Sequence, residues 1–420
     1  MTYYWPPAGG PGVQRWLKFA KYLPEFGISP VVYVPANPTY PIIDEGLLNE
    51  VPRDAIVLKR NILEPYQLAS LFSKHKTRRI SSGLIPHQKK QFGIEKLLLW
   101  IRGNVFIPDA RVLWLKPSVR FLSKYLRDNA IDTIITSGPP HSLHLIGLEL
   151  KSKHQLKWIA DFRDPWTTIG YHKSLKLSAY AARRHKALEK KVLDAADTII
   201  VTSNTTQQEF AVLTQTPITV ITNGYDIENV PVQPLDSRFT IAHIGSFLSE
   251  RNPLILWEVL QELTNVNPDF AADFELKLIG AVSAEVLEAI DNHGLRDNVC
   301  NHGYLSHKEA IMEQRRSQLL LLIEIDSPAT KSIIPGKLFE YMAAERPIIG
   351  LGPEGADFAE ILKQTNTGLF IKYDQKALLK DSILAYYNAY KSKSLTVHPV
   401  GLQQYSRKNL TQKLADLIRS

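Results

Sequence analysis

The chain has 420 residues, 44% hydrophobic and 22% charged, with a formal net charge of +8, an ordinary globular composition long enough for two or three domains with sizeable cores. A single cysteine, Cys300, excludes an internal disulfide and a cysteine-based zinc site, and fits a reducing cytosol. No signal peptide is evident, and no apolar run, Leu319 to Ile323 being among the longest, approaches the ~18 residues of a membrane span, so a soluble or peripheral protein is expected.

The first stretch, MTYYWPPAGGPGVQRW, sets Gly9, Gly10 and Gly12 before the amphipathic run Val13, Trp16, Leu17, Ala20 and Leu23, which Pro24 and Gly27 stop. Helix amides behind a glycine loop suit an anion, and a tight packing turn suits the same residues equally well. The loop is neither G-x-G-x-x-G nor a Walker A motif. Only Thr2 to Trp5 precede Pro6-Pro7, whereas a Rossmann-like domain opens on a strand of about five residues. The first strand is therefore expected to be stunted, or the sequence to begin inside it. A second strand is expected at Val31–Val34.

Basicity concentrates between Lys59 and Arg127, with fifteen Lys and Arg against Glu64, Glu95 and Asp109, which leaves the rest of the chain net acidic. Lys74 to Arg79 and Lys89-Lys90 precede the apolar stretch from Ile94 to Ile101, which carries Trp100. Such a combination suits an anionic membrane surface, and a solvated face beside a buried helix is the competing reading. No zinc finger or single-strand aromatic signature accompanies it, so nucleic acid is not an expected partner.

Further on, Thr133–Thr136 predicts a strand, followed by a Gly-Pro-Pro loop carrying His141 and a helix over about 142–153. The strand Lys157–Ala160 runs into Asp161-Phe162-Arg163-Asp164-Pro165-Trp166. A basic helix near 178–193, a strand at 198–202, a helix and a strand at 218–221 follow. Asp161, Arg163 and Asp164 fall at the carboxyl edge of a strand, where α/β proteins hold ligands, although a loop ending in Asp-Pro also forms Asx turns. His141 can touch an acceptor or its phosphate, or merely precede a helix.

Thr222 to Asp226, with Pro231 and Pro234, reads as a linker. The pattern then restarts with Phe239–Ile244 running into Gly245, a helix from Pro253, a strand at 274–279, a helix from Ser283, and strands at 319–325 and 347–350. Strands alternating with helices in two similar halves predict an α/β protein of two Rossmann-like, doubly wound parallel-sheet domains facing a central cleft. In the second half, Arg251 on the turn after Gly245-Ser246 can pair with phosphate oxygens, or with Glu250 at the surface. A helix starting near Pro335-Gly336 would offer amides and Lys337 to a diphosphate. Glu340, one turn on, can accept from two ribose hydroxyls, or pair with Lys337.

Five stretches, Gly9-Gly10-Pro11-Gly12, TNGYD, HIGSF…ERNP, NHGYLSH and GKLFEYMAAERPII, together resemble family 4 glycosyltransferases of GT-B fold, of the bacterial surface-polysaccharide type. The likeness runs over nearly the whole chain. It implies an acceptor-binding domain over 1–222 with a basic insertion at about 59–127, a nucleotide-sugar domain over 223–395, and a last helix within 396–420 packing back toward the first domain. It also implies transfer from a nucleotide-linked sugar, with UDP-linked sugars, amino sugars among them, as the expected donors, with retention of configuration, no cofactor and no bound metal. The absence of an Asp-x-Asp motif agrees with the last point.

By the same resemblance, donor contacts fall on Gly10, Gly12, Gly245, Ser246, Arg251, Gly303, Tyr304, Pro335, Gly336, Lys337, Leu338 and Glu340, with Gly303-Tyr304 near the base. The resemblance sets Arg163 and Asp164 facing the cleft, positioning donor sugar and acceptor, and Asp161 and His141, from the reading of the residues above, complete the candidates for the reacting centre. Two positions depart from the family pattern: Ser246 stands where an Arg is usual, and Ser332 where the first glutamate of Glu-x7-Glu would be. The expected partners are the nucleotide-sugar, a saccharide or polyprenyl-diphosphate-linked acceptor and an anionic membrane surface, placing the protein in the cytoplasm or on the inner face of the cytoplasmic membrane. Competing readings are a nucleotide-sugar epimerase of the same architecture, a dinucleotide-dependent oxidoreductase, and a non-catalytic membrane-associated scaffold.

Overall fold

A computed structural model describes residues 1–64, 100–169, 175–226 and 233–420. Seven of the fifteen cations of the basic stretch singled out above, those from Lys74 to Lys96, lie outside the described residues, as does the apolar run from Ile94 to Leu99. The chain divides into two compact units, Met1–Thr222 with Arg407–Ser420, and Asn223–Ser406.

In the first unit, helix α1 (Pro11–Tyr22) opens with Pro11, whose fixed φ suits a first helical turn, after Gly10 at φ 94°. Strands β1 (Val31–Pro35) and β2 (Ile56–Arg60) form a parallel pair. A second parallel sheet takes β3 (Thr133–Gly138), β4 (Lys157–Phe162), β5 (Thr198–Val201) and β6 (Ile218–Val220) in sequential order. Helices α2 (Leu115–Asp128), α3 (Ser142–Lys153), α4 (Ala179–Ala195) and α5 (Asn204–Ala211) accompany them. Met1 and Thr2 take the place of the expected first strand. The Met1 amine donates to the Ile135 carbonyl (2.8 Å), Ser137 N–H to the Met1 carbonyl (3.1 Å) and Thr2 N–H to the Tyr33 carbonyl (3.1 Å), which ties β1 to β3.

The second unit is one six-stranded parallel sheet. Its strands β7 (Phe239–Ile244), β8 (Phe274–Ile279), β9 (Val299–Gly303), β10 (Leu319–Ile323), β11 (Ile348–Gly352) and β12 (Gly368–Lys372) stand in the order β12-β11-β10-β7-β8-β9. Successive side chains of a strand point to opposite faces. Phe239, Ile241, Leu319, Leu321 and Ile323 accordingly pack on one side with Trp257, Leu260 and Ile383. Ala242, Ile244, Leu320 and Leu322 pack on the other with Leu338, Phe339, Met342 and Phe358. Burial on both faces explains why β10 reads as an unbroken apolar run rather than an alternating one. The helices here are α6 (Leu254–Val266), α7 (Pro268–Asp273), α8 (Ala284–Asn292), α9 (His307–Arg316), α10 (Lys337–Ala343), α11 (Asp357–Thr365) and α12 (Lys376–Lys391).

The last helix, α13 (Arg407–Arg419), belongs to the first unit. It buries Leu410, Leu414 and Ala415 against Phe19, Leu23, Ile159 and Ile200. Lys157 Nζ donates to the Leu417 carbonyl at 2.6 Å, a last-turn carbonyl that also accepts from Ser420 Oγ at 3.1 Å.

Candidate functional site

In the second unit, three neighbouring strands end on glycines with left-handed backbone: Gly245 after β7 (φ 119°), Gly280 after β8 (φ 116°) and Gly303 closing β9 (φ 67°). Gly280 N–H donates to the Gly303 carbonyl (2.6 Å), and a Cβ on Gly280 would stand 2.6 Å from the Gly245 carbonyl oxygen. Only glycine permits this crowding, which forms a shelf of bare backbone at the carboxyl edge of the sheet. A Cβ on Gly245 would stand 2.9 Å from Lys337 Nζ, so the first glycine makes room for a cation.

Lys337 comes to that shelf because it opens α10, whose buried face of Leu338, Phe339, Tyr341 and Met342 fixes the rotation of the helix. Tyr341 Oη locks α10 to β7, donating to the Ile244 carbonyl (3.2 Å) and accepting from Ile244 N–H (2.8 Å). Burial and the Arg251 guanidinium push the Lys337 ammonium down to about 7, against the opposing charges of Glu324 and Glu340. Arg251 ends a short 3-10 turn, Ser249–Arg251, and its Nε and Nη2 face the Glu324 carboxylate at 3.2–3.4 Å. Glu324 follows β10 directly and is wholly buried. It also accepts from Ile325 N–H at 2.9 Å. Glu340 is half-buried, one carboxylate oxygen accepting from Gln314 Nε2 at 3.2 Å.

The structure thus brings Gly245, Arg251, Lys337 and Glu340 into one electrostatic cluster, with Gly303 on the neighbouring strand end. Other expected contacts differ. Helix α10 starts at Lys337, two residues later than Pro335, and the Leu338 amide is spent on the Pro335 carbonyl (3.0 Å). Leu338 is a core residue with 0% exposure, because the apolar face of α10 needs it there, so its side chain is not a donor contact. Tyr304 is 87% exposed and touches the site only if a ligand covers it. Two residues not foreseen belong to the cluster, Glu324 and His243. The first carried a signal, an acid abutting a five-residue apolar strand at its carboxyl end.

In the first unit the glycine loop and the Asp161–Asp164 stretch meet. Arg163 donates from Nη1 to the Gly12 carbonyl (3.0 Å), from Nη2 to the Pro139 carbonyl and from Nε to the Gly138 carbonyl (3.4 Å). Its guanidinium carbon lies 5.5 Å from the Tyr4 ring centroid. A Cβ on Gly12 would collide with that guanidinium. The glycine loop therefore holds a protein cation, and Arg163 ties three loop carbonyls together rather than standing open to a sugar.

Asp161 is likewise a structural hub. Fully buried, it accepts from Arg15 Nη2 (2.8 Å) and Nε (3.3 Å), Trp16 Nε1 (2.8 Å) and Ser137 Oγ (2.7 Å). Burial alone would raise its pKa, but Arg15 and the hydrogen bonds outweigh it and hold the carboxyl below its usual range. Asp164 is different: half-buried, it has its carboxyl pushed up by burial, with Arg163 opposing and Asp161 assisting. His141 is buried and stacks on Trp166, ring centroids 4.9 Å apart and planes 3° apart. The α3 terminus beside it is capped by Asp109, which accepts from Ser142 N–H and Oγ at 2.9 Å.

Comparison with known proteins agrees with this architecture. Residues 82–229 match Glycosyltransferase Family 4 and residues 238–388 match Glycosyl transferases group 1. No significant match is found among curated protein sequences. The fold is similar to that of HepE (Alr3699) from Anabaena, solved in complex with UDP and glucose, at 13% identity and a TM-score of 0.61 over 100% of this chain and 99% of that one. The lipopolysaccharide outer core galactosyltransferase WaaB is similar at 13% identity and a TM-score of 0.58, each chain covered fully at 100%. A UDP-N-acetylglucosamine 2-epimerase homologue from Listeria monocytogenes has 12% identity and a TM-score of 0.54 over 100% of this chain and 95% of that one. The chain belongs to the glycosyltransferases of GT-B fold, its two halves matching the two family domains in order.

Proposed function

We propose that this glycosyltransferase moves a sugar from a nucleoside-diphosphate donor, UDP-linked and with amino sugars among the candidates, to a saccharide or polyprenyl-diphosphate-linked acceptor, with retention and without a metal. The observation that carries the reading is the pairing of Arg251 and Lys337 at the glycine shelf, with Glu340 one turn along α10. As the bond from the anomeric carbon to the diphosphate breaks, negative charge builds on the leaving oxygens, and fixed cations lower the barrier. Arg251 faces Glu324 through Nε and Nη2, which leaves Nη1 for a phosphate oxygen. An arriving diphosphate favours the charged form of Lys337, and Glu340 accepts from the ribose hydroxyls.

No nucleophile stands out among the described residues, so the proposed step is a same-face displacement. The acceptor oxygen bonds to the anomeric carbon as the diphosphate leaves, and the acceptor proton passes to a diphosphate oxygen. Asp164, its carboxyl raised by burial, is the first-unit group proposed to orient the acceptor.

Among the described residues no helix is long and apolar enough to cross a membrane. A peripheral contact is proposed around the exposed Trp100 (45%), Val105 (60%) and Tyr180 (62%), with the exposed cations Arg183 and Arg184 one turn along α4 from Tyr180 and Arg184 Nη1 donating to its hydroxyl at 3.0 Å. Ser178 N–H donates to Asn104 Oδ1 at 2.7 Å, joining the segment with Trp100 to the start of α4. Aromatic and aliphatic side chains rimmed by cations suit an anionic interface.

The test is a mass-spectrometric donor screen with membrane-extracted lipid acceptors and EDTA present. Acceptor-dependent gain of a sugar mass supports the reading. A donor isomer formed without acceptor indicates epimerisation, and no product together with no nucleotide binding in a calorimetric titration indicates a scaffold.

A further inference from the structure

The buried imidazole at the end of β7 has no role in the chemistry described so far. We infer that His243 is a positioning residue for Lys337, its Nε2 accepting one N–H of the lysine and aiming the remaining two at the diphosphate. The inference rests on the diphosphate reading for what Lys337 is aimed at, but not for the contact itself.

A polar ring inside a sheet is costly unless its nitrogens are satisfied. His243 is 1% exposed, and every residue of β7 is buried. Its Nδ1 lies 3.2 Å from the Leu321 carbonyl on β10, and its Nε2 lies 3.2 Å from Lys337 Nζ. A carbonyl only accepts, so Nδ1 carries the proton, the tautomer being assigned from this network. Nε2 is then a lone pair, and the lysine must donate to it. The ring is held from the side by Phe247, with centroids 4.3 Å apart.

The arrangement works only with an uncharged imidazole, since an imidazolium would donate at both nitrogens and repel the ammonium. Burial keeps the ring neutral, with the Lys337 charge next in weight and Arg251 adding to it, against the Leu321 and Ser246 carbonyls. Lys337 in turn faces Arg251, Glu324 and Glu340. Of the two acids, Glu324 is already engaged by Arg251 and Glu340 by Gln314. A lysine has a flexible four-carbon stem and a point charge without directional preference. Nε2 supplies the direction, and Gly245 supplies the space for Nζ above the turn.

The test uses the full chain as wild type, H243F, H243Q, K337M and the H243F/K337M double variant. Two readouts are needed. UDP is titrated calorimetrically from pH 6.5 to 9, and in ligand-free protein the pH dependence of Lys337 acylation is followed by competitive labelling and mass spectrometry. The labelling midpoint should lie near 7 in wild type, fall in H243F, and return in H243Q, whose amide oxygen can replace Nε2. UDP affinity should fall about tenfold in H243F at pH 7.5, recover in H243Q, and show no further loss from H243F once K337M is present.

An H243F midpoint equal to wild type overturns the inference. So does a loss of UDP affinity from H243F as large in the K337M background as in wild type, since His243 would then act independently of Lys337. If wild type binds no UDP, the diphosphate reading fails by itself, while the labelling midpoints still decide whether His243 holds the lysine.

Discussion

Replacing Asp161 by Ala removes the acceptor of four hydrogen bonds and leaves the Arg15 guanidinium buried without its counter-charge. The loss spans several elements, because Arg15 and Trp16 lie on α1, Ser137 on β3 and Asp161 on β4, while Arg15 also donates to the Thr222 carbonyl at 2.8 Å. Removing one partner of a buried ion pair costs about 3–5 kcal/mol. With a urea dependence of about 2 kcal/mol per molar, that cost moves the midpoint by roughly 2 M. Because a chain of two compact units need not unfold in one step, the assay is urea denaturation with hydrogen-exchange mass spectrometry on β3 and β4 peptides. Faster exchange there, with peptides from β7 and β10 unchanged, is the expected outcome. The pH dependence has a definite sign. A carboxyl held below its unfolded pKa contributes stability above that value and loses it as pH falls through the folded one, so wild type should lose first-unit stability in acid more steeply than Asp161→Ala. A variant with wild-type stability and no turnover would refute this reasoning and return Asp161 to the reacting centre.

Arg163→Ala, losing three carbonyl contacts, should lower first-unit stability by about 2–4 kcal/mol, charged hydrogen bonds contributing ~1.5–3 each at most; thermal unfolding with exchange over the 8–14 and 137–141 loops measures it. Asp164→Asn should leave unfolding unchanged or slightly improved, since a partly desolvated carboxylate is removed, yet cut kcat at least about tenfold in a steady-state transfer assay. UDP affinity should be level below pH 7 and fall above it. A bound diphosphate raises the Lys337 pKa from about 7, so binding takes up a proton that becomes scarcer as pH rises. In Lys337→Met the calorimetric profile should be flat over the same range.

The central strands were legible because burial on both faces leaves largely apolar runs with a sharp end, as in Phe239–Ile244, closed by Gly245, and Leu319–Ile323, closed by Glu324. Three of the six edge strands were not, while β1, β3 and β6 were. β2, β9 and β12 are largely exposed or half-buried and carry Lys59, Arg60, Asn301, His302 and Lys372, so their sequences lack the run. In the site, Arg251 and Lys337 could be found from glycine turns and helix starts, which are local signals. What Asp161 and Arg163 do could not, because it depends on Arg15 and Gly12, some 150 residues away in the chain. Asp161 and Arg163 at a strand end read as chemistry in one dimension, whereas in three their hydrogen bonds go to the scaffold, and of that stretch Asp164 alone is kept for the acceptor. His243 was hidden for the opposite reason: in sequence it interrupts an apolar strand, and only Leu321 and Lys337 give its two nitrogens a purpose.

The central claim is that Arg251 and Lys337 grip a diphosphate, and a calorimetric comparison of UDP with uridine, in wild type and in Arg251→Ala, tests it most directly. The account predicts that UDP binds wild type far more tightly than uridine, and that Arg251→Ala weakens UDP by at least tenfold, about 1.4 kcal/mol, while leaving uridine unchanged. Equal affinity for the two ligands, or UDP binding indifferent to the loss of Arg251, would contradict it.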